Sequence, residues 1–515
     1  MNAKSSRQIL TIGLVICLTI VLHVETCPAQ IMGGMRGQPS ADYFAQRRAQ
    51  FMEQMDSDSI AIIAAKKSLN GAGVADHKFK QDLAFYYLTG FEMPDAVCLI
   101  IPGGIDEFVM FVPPHRQPMR MPPSGMPGPM MGMGMMMGMP GMQMMMGRGG
   151  MGMIMGGQGM MGPTPLNPEI FYSTEQMEKI LPFYLRGKTK VYGNSDDSVL
   201  RDKIINAAQG ASLEFADPDP IITDLRVIKD ELELTLLRRA IDITCEAQIN
   251  VLKRAQPGMY EYEIEAIIEG TFFRNGSPRV GFTSICGSGP NTYELHYSRN
   301  TRQTEPGDMI VMDIGAEYGN YTADVTRTIP LDGKFSPEQR DIYEIVLKAN
   351  QETIAIVRPG LDYGEINTTA QRVLAGGLHR LGFVEDPDLS WQVRLWTRHG
   401  VSHGIGLAVH EAATRSDRYS SGRRRGDNQL EVNSIFTVEP GIYISERGLE
   451  RKPRDVSDDE WNTYIEKVTP LVEKYRYIGV RIEDDVLVTP EGHEIVSLKA
   501  PKTIEDIERI MNRKK

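Results

Sequence analysis

Four carboxylates and one imidazole stand out among the residues of this chain that could do chemistry: Asp313, Asp324, Glu439, Glu483 and His403. Brought to one point, four carboxylates would repel one another strongly unless cations neutralised them. An oxygen-rich donor set with a single nitrogen suits a pair of divalent metal ions, and the chemistry such a pair supports is hydrolysis.

These residues can act together only if the elements carrying them converge. Asp313 ends the apolar run Met309-Ile310-Val311-Met312 and is soon followed by Gly315, whereas Asp324 follows Tyr321-Thr322-Ala323. The intervening Glu317-Tyr318-Gly319-Asn320 is a tight hairpin signal. A turn centred on Tyr318–Gly319 pairs the two aspartates directly. A register shifted by two keeps them diagonal on one face, and a shift of one separates them. His403 shares a short stretch with His399 and His410, in which Gly400, Gly404 and Gly406 favour a loop over a helix. No glutamate follows His399, as the zinc-protease helix motif would require. Glu439 lies between the apolar Ile435-Phe436-Thr437-Val438 and the turn pair Pro440-Gly441, a costly place for a carboxylate without a partner. Strand alternation puts Arg481, Glu483 and Asp485 on one face, and a salt bridge to a basic residue is the competing explanation for Glu483.

From Tyr43 onward the chain resembles aminopeptidase P, the Xaa-Pro aminopeptidases of the pita-bread metallopeptidase family. The resemblance rests on Phe85-Tyr86-Tyr87-Leu88-Thr89-Gly90-Phe91, Leu295-His296-Tyr297, the Asp313/Asp324 spacing, His399-Gly400-Val401-Ser402-His403, Val409-His410, Thr437-Val438-Glu439-Pro440-Gly441 and Arg481-Ile482-Glu483-Asp484. It implies an α+β fold, with a C-terminal pita-bread catalytic domain over 225–500 preceded by a smaller α/β N-terminal domain over 41–224 and followed by a tail over 501–515. It also implies two divalent metal ions, Mn2+ foremost with Co2+ or Zn2+ as alternatives. Asp313 and Glu483 would bridge them, Asp324 would complete one, and His403 with Glu439 would complete the other. The implied catalytic set is His296, His399, His410, Glu439 and Arg481. Glu439 would serve as general base, the histidines would stabilise the tetrahedral intermediate and handle the leaving nitrogen, and Arg481 would orient ligand carboxylates, a role also open to Thr326 or Tyr443. The implied activity is release of the N-terminal residue from peptides with proline second, by a homo-oligomer (dimer or tetramer). A prolidase restricted to Xaa-Pro dipeptides is the near alternative, and a non-enzymatic pita-bread binding module the distant one. Gly404 and Ala408 depart from the larger or acidic residues of relatives and imply a wider cleft, and an insertion within 448–477 is expected near its entrance.

Chain length and composition agree with this organisation. A chain of 515 residues exceeds one ordinary core and favours two domains. Its net charge of −11, with no basic stripe, argues against nucleic acid as a partner. Apolar patterning predicts an amphipathic helix over 41–54 and strands over 60–63, 96–101 and 108–112. Helices are expected over 230–255, 261–274, from the capping box Ser336-Pro337-Glu338-Gln339 towards 357, and over 363–381. Strand pairs over 309–316 with 320–330, then 435–444 with 478–489, suggest two similar αβ halves. Cys98, Cys245 and Cys286 are too isolated for a disulfide framework and read as buried thiols. The 117–163 tract, with roughly nineteen of the 31 methionines, reads as a disordered insertion. Its thioethers would also suit Cu(I) or oxidant capture.

Lys4 and Arg7, an apolar run from Ile9 to Leu22 and the small-residue site at Ala29 have the layout of a signal peptide over 1–29. An exported protein, periplasmic or secreted and without stable membrane insertion after cleavage, is expected; an uncleaved anchor is the lesser alternative. Sequencing the N-terminus of the exported protein should give a start near Gln30, whereas a start at Met1 would exclude cleavage.

Overall fold

Residues 60–63 and 97–100 are apolar at every position because their strands are covered on both faces. The computed structural model describes residues 39–68, 79–114, 170–193, 197–416 and 428–512; the leader and the methionine-rich tract lie outside these described residues. The N-terminal domain runs α1 (Ala41–Met52), β1 (Ser59–Ala64), α2 (Leu83–Thr89), β2 (Val97–Ile100), β3 (Phe108–Val112), β4 (Ile170–Ser173), α3 (Met177–Leu185), β5 (Lys190–Gly193), α4 (Ser198–Ala207), β6 (Glu214–Ala216) and α5 (Asp219–Val227). Its mixed sheet has the order β4-β3-β2-β1-β5-β6. Ile60 and Ile62 pack under Leu181, Leu200 and Ile204 on one face. Ala61 and Ile63 face the other way, into a core shared with the rest of the chain.

The catalytic domain begins with the helix pair α6 (Glu231–Arg254) and α7 (Glu261–Arg274), the first set by the capping box of Asp230 and Glu233. Then follow β7 (Ile285–Ser288), β8 (Met309–Ile314), β9 (Glu317–Tyr318), β10 (Tyr321–Thr322) and β11 (Val325–Pro330), with the antiparallel order β11-β8-β7. A second helix pair, α8 (Pro337–Ala355) and α9 (Gly364–Leu381), leads through α10 (Ser390–Thr397) to β12 (Ile435–Val438) and β13 (Gly441–Tyr443). The chain continues through α11 (Asp458–Lys474), β14 (Gly479–Arg481), β15 (Asp484–Thr489), β16 (Gly492–Ile495) and α12 (Ile504–Met511). The order β12-β15-β16 mirrors the first three-stranded sheet, as the helix–strand alternation in the sequence suggests.

Two expectations need correction. The hairpin turn centres on Gly319–Asn320, not on Tyr318–Gly319, because both central residues take left-handed backbone angles, φ +58° and +71°. Glycine and asparagine take that conformation far more readily than tyrosine does. Asp313 therefore faces Thr326, and Asp324 becomes its diagonal neighbour on the same face. The segment expected to be a tail over 501–515 contains α12, whose Ile504, Ile507 and Met511 are buried in the main core. Cys98, Cys245 and Cys286 are buried free thiols, as expected.

Arg327 fastens that C-terminal segment to the strands. Its buried guanidinium donates to the carbonyls of Thr326 (2.9 Å), Glu483 (2.5 Å), Ala500 (2.9 Å) and Pro501 (3.1 Å) and to Asp484 Oδ1 (2.8 Å). Asp484 also receives Lys502 (2.5 Å) and Ser497 (2.7 Å). Replacing Arg327 with alanine strips the Glu483, Ala500 and Pro501 carbonyls of this donor and Asp484 of its guanidinium, and should cost roughly 3–5 kcal/mol. Urea unfolding would measure it, and a loss below about 1 kcal/mol, the scale of a surface pair, would remove Arg327 from this role.

Candidate metal centre and active site

The ligand candidates sit where strands stop. Asp313 is one residue from the end of β8, Asp324 fills the break between β10 and β11, Glu439 the break between β12 and β13, and Glu483 the break between β14 and β15. A carboxylate at such a break can point into the space between sheets without removing a ladder hydrogen bond. β14, which pairs with β13, meets β11 there: the Glu483 amide donates to the Thr326 carbonyl (3.1 Å), the Thr328 hydroxyl donates to the Arg481 carbonyl (2.9 Å), and the Arg481 amide donates to the Thr328 hydroxyl (3.0 Å).

Asp324, His403 and Glu483 are buried, and one ligand atom of each lies within 4.8 Å of the others. His403 Nε2 stands almost equally near Asp324 Oδ2 (3.6 Å) and Glu439 Oε1 (3.5 Å). Its Nδ1 faces the Gly404 carbonyl at 3.1 Å, which fixes the tautomer that leaves Nε2 as a lone-pair donor. Asp313 Oδ2 receives the Arg481 guanidinium at 2.5 Å, and Glu483 Oε2 receives the Thr326 hydroxyl at 2.6 Å. Oδ1 of Asp313 and Oδ1 of Asp324 are buried and accept no hydrogen bond from the described residues. Burial, then the neighbouring Glu483 and Asp313, holds the Asp324 carboxyl well above the usual carboxylate range. Burial and Asp313 likewise push Glu483 up to about 7. Orphaned oxygens on mutually repelling carboxylates fit divalent cations as their missing partners. The ion-pair alternative for Glu483 falls to its neighbour: Asp484, not Glu483, takes Arg327 and Lys502.

A cleft of about 310 Å³ opens onto Asp313 and Asp324 and is flanked by His296, His410, Phe282 and Val409. His296 and His410 are exposed to it, and the His410 ring packs edge-on against His403 with centroids 4.2 Å apart. His399 is not among the residues lining this cleft. Its Nδ1 faces the Gly400 carbonyl (2.7 Å), its Nε2 accepts from the Tyr443 hydroxyl (2.8 Å), and burial with the nearby Arg481 lowers it to about 3, so the ring is neutral. Arg481 is also buried, bound to Asp313, Tyr443 and Thr326, so it orients a ligand and does not face the cleft. The histidine segment is a loop, as its glycines imply. Gly404 adds no room, contrary to the expected widening: a side chain there would meet the Ala412 carbonyl at 2.5 Å, because Gly404 bridges to Glu411 and Phe436. None of the residues lining this cleft comes from the 448–477 insertion; Tyr464 of α11 is bonded to Trp396 (3.0 Å) and to the Phe383 carbonyl (2.9 Å), and the Tyr477 carbonyl accepts the Thr292 hydroxyl (3.3 Å) in the stretch that leads to His296.

Sequence reasoning misses two supports. Asp485 is buried, its Oδ2 accepts from the Asp324 amide at 3.3 Å, and its Oδ1 has no partner among the described residues. The alternation that places it with Arg481 and Glu483 is the available signal. Glu411 anchors the His410 loop by accepting the Ala408 amide (2.9 Å). Burial alone would raise its carboxyl, but Arg226 and Lys229 overcome that and lower it to about 2.

Comparison with known proteins agrees with this geometry. Residues 235–490 match metallopeptidase family M24, and residues 44–121 match the aminopeptidase P N-terminal domain. A Xaa-Pro aminopeptidase of Haemophilus influenzae is 31% identical over 474 residues, spanning 91% of this chain and 97% of that protein. The chain belongs to the aminopeptidase P family. The structure of a Pseudomonas aeruginosa aminopeptidase of this family superposes with a TM-score of 0.73 at 32% identity, covering 93% of this chain and 99% of that one. Escherichia coli aminopeptidase P with the inhibitor Pro-Leu gives a TM-score of 0.72 at 28% identity, covering 93% and 100%. Membership makes the chain a metallo-aminopeptidase with the family's pita-bread catalytic domain behind a smaller N-terminal domain.

The raised carboxyls carry a sign. Without metal, folded Glu483 keeps its proton up to about 7 while the unfolded chain releases it near 4.5, so its stabilising contribution is present below about 4.5 and is lost as pH rises through 7. Glu411, lowered to about 2, loses its contribution only on the acid side of that window. The melting temperature of metal-stripped protein should therefore fall from pH 5 to 8, and added Mn2+ should restore most at pH 8, where protons compete least. A melting temperature that rose over this range would contradict the assignment.

Proposed function

We propose that the chain is an exported Xaa-Pro aminopeptidase that holds two divalent cations, Mn2+ foremost, among Asp313, Asp324, His403, Glu439 and Glu483. The observation that carries this reading is the convergence of four carboxylates and one correctly oriented imidazole, with orphaned oxygens, on a cleft flanked by two exposed histidines. Bound cations would neutralise the carboxylates, polarise the scissile carbonyl and acidify the attacking water. The residues of the chain do the rest. Glu439, 3.5 Å from His403 Nε2, accepts the proton of the water. His296 and His410 stabilise the oxyanion across the cleft and return a proton to the departing proline nitrogen. Arg481, Tyr443 and His399 form the buried chain that keeps Asp313 in place. The Pro-Leu inhibitor of the Escherichia coli relative begins with proline and continues beyond it, as the leaving part of a longer peptide does; this favours aminopeptidase over prolidase. Export rests on the leader layout over 1–29. Among the described residues no helix is long and apolar enough to cross a membrane. Homo-oligomerisation rests on the family resemblance.

Chelation should abolish cleavage of Xaa-Pro peptides and Mn2+ should restore it, with metal analysis giving two ions per chain. Activity that survived complete metal removal would overturn the mechanism. A tripeptide with proline second should be cleaved with a higher kcat/KM than the matching Xaa-Pro dipeptide; the reverse order would favour the prolidase reading. Replacing His410 with alanine should lower kcat/KM by about 10²- to 10⁴-fold at unchanged metal content.

A further inference from the structure

Glu261 is a fully buried carboxylate at the first position of α7, and among the described residues no cationic side chain pairs with it. Neutral donors satisfy it instead. Its Oε1 accepts the Ser288 amide (2.7 Å), the Ser288 hydroxyl (2.7 Å) and the Asn291 side-chain amide (3.0 Å). Its Oε2 accepts the Tyr297 hydroxyl (2.7 Å) and the Arg302 amide (2.9 Å). All five donors belong to one stretch, 288–302, which has no ladder of its own after β7 ends. That stretch carries His296. Tyr297, next in the chain, is buried, so its hydroxyl bond to Glu261 draws one residue inward while its neighbour is turned out into the cleft. The Glu261 amide in turn donates to the Arg302 carbonyl at 2.9 Å, closing the far end of the stretch onto the helix.

A buried carboxylate with five donors is fixed in direction as well as place, because each oxygen is held from more than one side. Apart from a 3-10 turn over Gly289–Tyr293 the stretch is irregular, and Glu261 takes a backbone amide near each of its ends, at Ser288 and Arg302. We propose that Glu261 is the positioning residue of His296: it imposes the path of 288–302 and thereby the reach of the imidazole into the cleft. This rests on the reading of His296 as a group that acts on the substrate. Glutamine at 261 keeps the volume but turns one acceptor oxygen into a donor, which would oppose the Tyr297 hydroxyl and Arg302 amide or the Ser288 donors.

The test is a double-mutant cycle on the metal-loaded enzyme with an Xaa-Pro peptide, comparing wild type, Glu261→Gln, His296→Ala and the pair. Glu261→Gln should lower kcat by about tenfold or more with KM and metal content little changed, because misplacement of a catalytic group acts on the chemical step. In the His296→Ala background the same change should have no further effect on kcat. Equal losses in both backgrounds, or no loss in the first, would overturn the proposal. A fully active His296→Ala enzyme would instead overturn the catalytic reading of His296, and the positioning role with it. Tyr297→Phe removes a single donor and guards against misfolding of the glutamine variant. It should give a smaller kcat loss that likewise vanishes without His296, and a loss that persisted there would count against the proposal.

Discussion

The mutual repulsion of buried carboxylates is the constraint on which the rest of this structure depends. Asp313, Asp324, Glu483 and Asp485 lie together where water is scarce, and among the described arginines and lysines only Arg481 forms an ion pair with a carboxylate of this set, that of Asp313. Desolvation raises the free energy of each charge and proximity raises it again. Packing alone would push these groups apart or protonate them. The fold answers by holding them from behind: strands end at each carboxylate, threonine hydroxyls stitch the sheets together, and Arg327 ties the strands to the C-terminal segment. The site is an arrangement of like-charged groups kept in register by the strands, hydroxyls and guanidinium behind it.

Much of this is legible in the sequence for a definite reason. Residue types that are costly to bury stand inside apolar runs, so the position of Glu439 after Ile435-Phe436-Thr437-Val438 by itself demands a partner. Apolar spacing places α6, the capping box at Ser336 locates the start of α8, and the glycines around His403 keep it out of a helix. The hairpin register is harder to read because the decision lies in backbone angles: Gly319-Asn320 and Tyr318-Gly319 look alike as turn pairs until the left-handed φ of both central residues is required.

What stays hidden is long-range and collective. Nothing local marks Glu261 as the acceptor for five donors up to 41 residues away, or Arg226 and Lys229 as the partners of Glu411. Arg481 and His399 show the right chemistry in the sequence, yet their partners, Asp313 for Arg481 and Tyr443 with Glu439 for His399, depend on packing that no spacing rule contains. α12 reads as a tail because its apolar face is short and follows the last conspicuous motif, although that face completes the main core.

The core beneath the N-terminal sheet belongs to both domains at once, with Ile63, Phe85 and Cys98 against Leu237, Ile241 and Tyr321. Arg47 of α1 reaches across the same boundary to Glu233 at 3.0 Å, both buried. Domains joined by a small polar seam rock on one another, whereas a joint built like an interior does not. A hinge that swung the N-terminal domain over the cleft would have to expose that shared interior to water, so the joint binds the two domains as one packed body.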